Sequence, residues 1–368
     1  MRIERIDVFQ VDLPYSGGVY RLSGGREFRS FDATLVRVTA DNGLEGWGES
    51  TPFGSTFVAA HARGVRAGIA EMAPALIGLD PRHVDRVNEA MDRCLAGHLH
   101  AKTPIDVACW DLFGKAAGMA VCDLLGGRTG EGLPIISSIY TGDPEDMRRR
   151  VREHRQQGYL GHSLKIGDEP SLDAARIQAV LEDRQPGEFF HVDANGGMTV
   201  ETGLRMLRLL PRGVDIVLEA PCSTWRECMS LRRRSDIPIM WDELAAGDEA
   251  VIQLVAEDAA EGINLKISKA GGLTRGRRQR DMCIAAGYTM SVQETTGSDI
   301  AFAALVHLGQ PVPAHLLRCV LECRDMVSVT TADGDFPVRD GRVQAPGAPG
   351  LGITPRLEVL GEPRASYH

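Results

Sequence analysis

Eight short apolar segments recur between Leu133 and Leu321: LPIISSI, HSLKI, FFHVDAN, DIVLEAP, IPIMWDE, GINLKIS, YTMSVQE and HLLRCVL. Runs of that length read as buried strands, and the stretches between them carry helical periodicity. DMRRRVREHRQQG is one such helix; VETGLRMLRLLP is another, with Val200, Leu204, Leu207 and Leu210 on one face. Strands that alternate with helices must pair in parallel. Eight units in about 190 residues predict a closed (β/α)8 barrel, trimmed at one or two helices. A doubly wound open sheet is the alternative. It would place a nucleotide site after its first strand, yet neither GxGxxG nor GxxxxGK[ST] occurs there.

Six charged residues stand at or near the ends of these strands: Lys165, Asp193, Glu219, Asp242, Lys266 and Glu294. Successive gaps of 28, 26, 23, 24 and 28 residues match one strand–helix unit. In a barrel these ends converge on one mouth, where such folds place their chemistry. Alternation agrees, since Ser163 and Lys165 share one face while Leu164 and Ile166 share the other. An inward charge costs several kcal/mol unless it is paired or bound to metal. Asp193, Glu219 and Asp242 come from consecutive strands, so their carboxylates can meet at one point. Three hard oxygen ligands without His or Cys suit Mg²⁺ better than zinc. A carboxylate cluster neutralised by arginines is the competing reading. Parity favours Asp242 over the adjacent Glu243, and His191 is expected to fill the barrel interior.

The basic residues sharpen this. Of 41, only five are lysine: Lys102, Lys115, Lys165, Lys266 and Lys269. A buried lysine can release its proton, whereas arginine cannot. The second and sixth strands lie opposite each other, so Lys165 and Lys266 would flank a substrate held at the metal. That suits removing a proton on one face of a carbon and delivering a proton, or expelling a group, on the other. Burial beside Mg²⁺ is expected to bring a lysine down from its usual ~10.4 by roughly 2–3. The metal would stabilise the enolate formed from a carboxylate substrate. Lys269 falls off the inward face and reads as a support; Lys102 and Lys115 read as surface residues of the first part.

That first part, to about residue 125, reads as α+β. Residues 2–12 and 31–50 form strands, with a hairpin turn at Asn42-Gly43. Helices are expected over 57–75 and 80–95, and another opened by Pro104. Tyr15–Ser30 and Thr51–Thr56 resist regular structure and suit a lid over a site. The tail from about Val327 is polar and is expected to pack back on the first part. The formal charge of −9 argues against nucleic acid. No run of about 18 apolar residues suggests a membrane span. The eight cysteines form no CxxC pair, and the N-terminus has no apolar signal segment, so a cytoplasmic protein is expected.

The ordered set SLKIG, HVDANGG, LEAP, WDEL and INLKISKAGGL, preceded by GWGES and WDLFGKAAG, resembles the enolase superfamily, in particular its muconate lactonizing subgroup (the mandelate racemase/muconate lactonizing enzyme family). The resemblance covers essentially the whole chain. It implies a modified TIM barrel, (β/α)7β, over residues 126–325, an N-terminal α+β capping domain over 1–125, and a C-terminal segment, 326–368, packed on the cap. Further implied are Mg²⁺ on Asp193, Glu219 and Asp242, the acid/base pair Lys165 and Lys266, and a homo-oligomer, dimer or octamer. The subgroup usually has lysine where this chain has Ser163.

Below that level the chain is similar to enzymes acting on proline derivatives, cis-3-hydroxyproline dehydratases and hydroxyproline-betaine epimerases. RGVRAGIAEMAPALIG and the closing GLGITPRLEVLGEP belong to this likeness. It departs at Gln293–Gly297, where a tryptophan-containing acidic segment is usual, and at Leu22, where an aromatic is common. Substrate contacts are expected from Ser163, Asn195, Glu294, Thr295 and Thr296, and from Tyr20 and Ser55 in the cap loops. Glu294 could pair with a substrate ammonium or hold an arginine. The expected activity is α-proton abstraction from a small carboxylate followed by loss of water. Epimerisation by the same lysines, a muconate-type cycloisomerisation and a non-catalytic binding barrel are the alternatives.

Overall fold

In the computed structural model, which describes residues 1–130 and 132–368, an antiparallel sheet comes first. Strands β1 (Ile3–Pro14), β4 (Ser30–Ala40) and β5 (Glu45–Ser50) pair in that order, with a small hairpin of β2 (Tyr20–Leu22) and β3 (Arg26–Phe28) between β1 and β4. The β4–β5 turn falls at Asn42-Gly43: Gly43 has φ +80° and donates to Ala40 O at 2.9 Å. Helices α1 (Ala62–Leu76), α2 (Val84–Cys94), α3 (Leu99–Ala117) and the single turn α4 (Val121–Leu124) follow. β5 lies directly on α3, because Gly46 and Gly48 admit no side chain: a Cβ on either would sit 2.1 Å from Ala108 O or Pro104 O.

Several sequence expectations change here. Tyr15–Ser30 is largely a regular hairpin, since Gly24 and Gly25 at φ +69° and +70° turn the chain tightly. Helix α1 starts at Ala62 rather than 57, capped by His61 Nδ1 on Gly64 N at 3.1 Å. Pro104 lies inside α3, whose first turn docks on the barrel and buries Ala101, Lys102 and Thr103. Lys102 is therefore buried, paired with Asp92 at 2.7 Å. Lys115 binds Asp111 and Glu45 O, both at 2.8 Å. Neither is a free surface lysine, because α3 is enclosed by the sheet, α1, α2 and the barrel.

The barrel runs β6 (Leu133–Ile139), α5 (Pro144–Gln156), β7 (Gly161–Lys165), α6 (Pro170–Leu181), β8 (Phe189–Asp193), α7 (Val200–Leu209), β9 (Val217–Glu219), α8 (Trp225–Arg232), β10 (Ile239–Trp241), α9 (Gly247–Ala256) and β11 (Gly262–Lys266). It continues through α10 (Ile267–Ala270), α11 (Leu273–Ala286), β12 (Thr289–Gln293), α12 (Asp299–Gly309) and β13 (Leu317–Leu321). All eight expected strands form. β13 pairs in parallel with β6, Val320 against Ile135, so the sheet closes and the open-sheet alternative falls. After β13 comes only a 3₁₀ turn, Cys323–Met326, which leaves the eighth helix missing. Register sets Lys165 beside Asp193 and Asp193 beside Glu219, in one layer at the strand ends.

The tail forms β14 (Ala332–Gly334), β15 (Arg342–Val343), β16 (Ile353–Pro355), α13 (Leu357–Leu360) and β17 (Ala365–Tyr367). β17 extends the cap sheet beside β1, while β15 pairs with β6 of the barrel, so the tail touches both parts. Two buried cap carboxylates reach the first turns of barrel helices. Glu49 accepts from Ser298 N (2.9 Å) and Ala301 N (3.1 Å) of α12, and Asp106 accepts from Thr274 N (3.0 Å) of α11. These bonds seat the cap over the barrel mouth. No helix among the described residues is long and apolar enough to cross a membrane.

Candidate active site

Asp193 and Glu219 end β8 and β9, and Asp242 follows β10. All three are buried, and each offers a carboxylate oxygen within 4.8 Å of the other two. The residue two after Asp193, Asn195, and the residue after Glu219, Ala220, adopt φ +46° and +40°. Such conformations cost non-glycine residues of order 1–2 kcal/mol each and cluster at functional sites. Asn195 secures Asp193 through its N–H (2.8 Å) and side-chain amide (2.9 Å), and that amide also reaches Glu243 at 3.0 Å. Glu219 Oε1 accepts from Asn264, while its buried Oε2 receives no hydrogen bond. Burial, with mutual repulsion, pushes Asp193 and Glu219 up to about 7. Burial acts the same way on Asp242, but Lys266 and Lys269 outweigh it and hold that carboxyl well below its usual range. Three converging hard oxygens, one of them bare, fit a divalent cation such as Mg²⁺.

Lys165, on β7, donates to Asp193; Lys266, on β11, pairs with Asp242 at 2.6 Å. Those strands are four apart in a ring of eight, so the amines flank the acidic cluster from opposite sides. Lys269 is placed as a support, bonded to Asp242 Oδ1 (2.9 Å) and Asn264 O (3.1 Å). The downward push expected of these lysines belongs to burial beside Mg²⁺; in the protein alone the acidic cluster acts on them the other way. Burial does work to lower both, yet the negative charge of Asp193 and Glu219 at Lys165, and of Asp242 and Glu243 at Lys266, holds both above the ordinary lysine value. His191 fills the barrel interior as expected, accepting from Arg318 Nε at 3.1 Å.

Between the lysines lies a small chamber of about 20 Å³. Tyr20, Ser163, Asn195, Glu294 and Thr295 line it. Tyr20 bonds Ser138 at 2.6 Å and its ring packs edge-on against Phe53. Glu294 holds no arginine; it accepts from Ser268 N at 2.8 Å and from Ser268 Oγ, and burial pushes it up to about 7. Thr295 Oγ1 ties this rim to Thr51 O at 2.8 Å. Thr296 is buried beside the chamber with its hydroxyl unpartnered, outside the lining. Ser55 is exposed and does not reach the chamber, because the 51–61 loop turns Phe57 inward instead. Sequence reasoning missed Phe57, whose ring lies 5.6 Å from Lys266 Nζ. Its signal was the second of two aromatics, after Phe53, in a Gly/Ser/Thr/Ala-rich loop, hidden by extending the helix back to residue 57.

Residues 28–126 match the family model for the mandelate racemase/muconate lactonizing enzyme N-terminal domain, and residues 146–359 match that for enolase C-terminal-like domains. The chain is 40% identical, over 100% of both chains, to cis-3-hydroxy-L-proline dehydratase of Roseibium aggregatum. It is 27% identical to N-succinyl-L-Arg/Lys racemase of Bacillus cereus, over 84% of each. Among solved structures, a mandelate racemase/muconate lactonizing enzyme-type protein from Roseovarius nubinhibens, complexed with magnesium, superposes with TM-score 0.99 at 51% identity over 100% of both chains. A similar protein from Aspergillus oryzae gives TM-score 0.95 at 67% identity, covering 100% of this chain and 99% of that one.

Proposed function

We propose a function from one premise: this chain belongs to the mandelate racemase/muconate lactonizing enzyme family and is an enzyme of the enolase superfamily. Its reaction is removal of the proton α to a carboxylate, followed by loss of a β-hydroxyl as water, on an amino acid of the hydroxyproline type. The observation that carries this reading is the pair of lysines on opposite strands with the acidic trio between them. Asp193, Glu219 and Asp242 would hold Mg²⁺, which when bound supplies positive charge against the charge developing on the substrate carboxylate. One lysine, in its neutral form, takes the α-proton. The opposite lysine, in its ammonium form, gives a proton to the departing hydroxyl, so the pair ends with its protons exchanged and water released. Lys269 and Asn264 keep Asp242 and Glu219 oriented throughout. Tyr20, Phe53 and Phe57 line the chamber with aromatic surface on the side of the cap.

Epimerisation is the second reading. The two lysines stand on opposite sides of the acidic trio, so one can take the α-proton while the other returns a proton to the opposite face. Incubating the Mg²⁺-loaded protein with cis-3-hydroxy-L-proline and with proline-type epimers in D₂O separates the two. Water loss supports the dehydratase; α-deuterium with inversion supports the epimerase. Absence of both water loss and α-exchange across the whole panel would overturn both.

A further inference from the structure

Below the acidic trio lies a polar pair that the proposed reaction does not touch. His191 stands two residues before Asp193 on β8, so its ring points into the barrel one layer deeper. It is wholly buried, and its Nε2 lies 3.1 Å from Nε of Arg318 on β13. A guanidinium N–H can only donate. Nε2 is therefore the lone-pair nitrogen, and the proton of the neutral ring sits on Nδ1. Contact with Arg318 thus selects one of two tautomers.

That Nδ1–H meets no acceptor within hydrogen-bond reach among the described residues. The atom it faces, 3.5 Å away, is Glu219 Oε2, which is also buried and unpartnered. A donor and an acceptor stand opposite each other, a few tenths of an ångström outside bonding distance. Fully buried polar atoms left unmet are rare and call for a reason. The trio supplies one. Asp193 has the ammonium of Lys165, and Asp242 has those of Lys266 and Lys269. Glu219 has no lysine or arginine partner among the described residues; Asn264 donates to its Oε1. Its second oxygen has the His191 ring to orient it.

We propose that Arg318 and His191 form a relay that positions the metal ligand Glu219. Arg318 fixes the ring as the Nδ1–H tautomer, and that N–H holds Oε2 for the point where the three carboxylates converge. This rests on the preceding reading, in which the trio holds Mg²⁺. His191 touches neither substrate nor reacting atoms; it acts through Glu219 as a positioning residue. Partners of this kind, one step behind a ligand, carry about 10–100-fold of metal affinity.

Calorimetric titration of the full-length protein with Mg²⁺ tests it. The wild type is compared with His191→Leu, His191→Asn, Arg318→Met and Glu219→Gln, each shown to be folded by its melting curve. His191→Leu should weaken binding at least tenfold, and Arg318→Met at least threefold. His191→Asn puts an amide N–H at the place of Nδ1 and should bind at least threefold tighter than His191→Leu. Smaller losses, or no recovery in His191→Asn, overturn the relay. NMR of the protein with isotope-labelled histidine nitrogens reads the tautomer directly, with His191→Asn marking the signal that disappears. The wild type should show Nδ1 protonated and Nε2 bare, and Arg318→Met should admit the opposite form. A wild-type signal with the proton on Nε2 overturns the proposal even where the leucine variant does not fold. The metal site and the reaction are read separately. Wild-type affinity in Glu219→Gln sinks the metal site and the relay with it. Binding that depends on Glu219 and His191, without water loss or α-exchange in any substrate, keeps the relay and sinks the reaction.

Discussion

Replacing Glu49 tests what holds the cap on the barrel. Its buried carboxylate accepts from Thr51 Oγ1 (2.7 Å), Ser298 Oγ (2.5 Å), Ser298 N (2.9 Å) and Ala301 N (3.1 Å). Glu49→Ala removes all four acceptor contacts. Ser298 Oγ keeps Thr331 Oγ1 at 2.5 Å, so the hydroxyl is not stranded. The two amides at the start of α12 are, and each buried orphan donor costs about 1–3 kcal/mol. Ser298 itself supplies no side-chain cap to α12, so nothing local replaces the lost acceptor. The expected destabilisation is about 3–5 kcal/mol, or a fall in Tm on the order of 5–10 °C for a chain of this size. Glu49→Gln keeps one carbonyl acceptor but sets an NH₂ against a donor, and should cost about 1–2 kcal/mol. Glu45→Gln is the control, since its pairing with Arg37 at 3.3 Å is part-exposed and worth under about 1 kcal/mol. Thermal unfolding followed by circular dichroism should therefore rank Ala below Gln below the control. A Glu49→Ala protein melting within a degree of the wild type would refute the claim that this carboxylate caps α12 across the interface.

The remaining expectations concern the site and the response to pH. Lys165→Met and Lys266→Met, each shown to be folded with Mg²⁺ bound, should lower α-proton exchange by about 10²–10⁴-fold, the loss of a positioned base; exchange retained within tenfold in both would exclude them as the bases. Mg²⁺ at a hundredfold its dissociation constant should stabilise the protein by about 2.7 kcal/mol, and Glu219→Gln should abolish that increment while raising the Tm measured in EDTA. Asp193 and Glu219 have folded pKa values near 7, above those of the unfolded chain, so the metal-free protein gains protons on folding. Its Tm in EDTA should rise as pH falls from 8 to 7, before the histidines titrate, and a flat profile would contradict this. Glu188 behaves oppositely. Burial raises it, but the His162 and Arg155 contacts and the Gln185 N–H outweigh that and depress it to about 2. Its contribution is present above about 4.5 and lost as pH falls towards 2, so Glu188→Gln should melt below the wild type at pH 7 and converge with it in acid.

The barrel and its ring of charges were legible in the amino-acid order because both are periodic. A strand buried on both faces writes an apolar run, and a residue at its end falls at a spacing set by one strand and one helix. The Asn42-Gly43 turn was legible for a local reason, the left-handed backbone at Gly43. Helix starts were not. His61 caps α1 although histidine is no favoured cap, and α3 begins five residues ahead of the proline that was expected to open it.

What the chain order alone determined was which residues face inward and in which sequence round the ring: Lys165, Asp193, Glu219, Asp242 and Lys266. Only the tertiary structure decided how far apart their atoms lie, that Phe57 rather than Ser55 enters the chamber, and that Lys102 and Lys115 are spent on Asp92 and Asp111. It alone joined Glu49 to Ser298 and Asp106 to Thr274, partners 249 and 168 residues away. The physical reason is that burial periodicity is a property of one segment, whereas the partner that satisfies a buried charge is chosen by whatever the fold brings within about 3 Å of it.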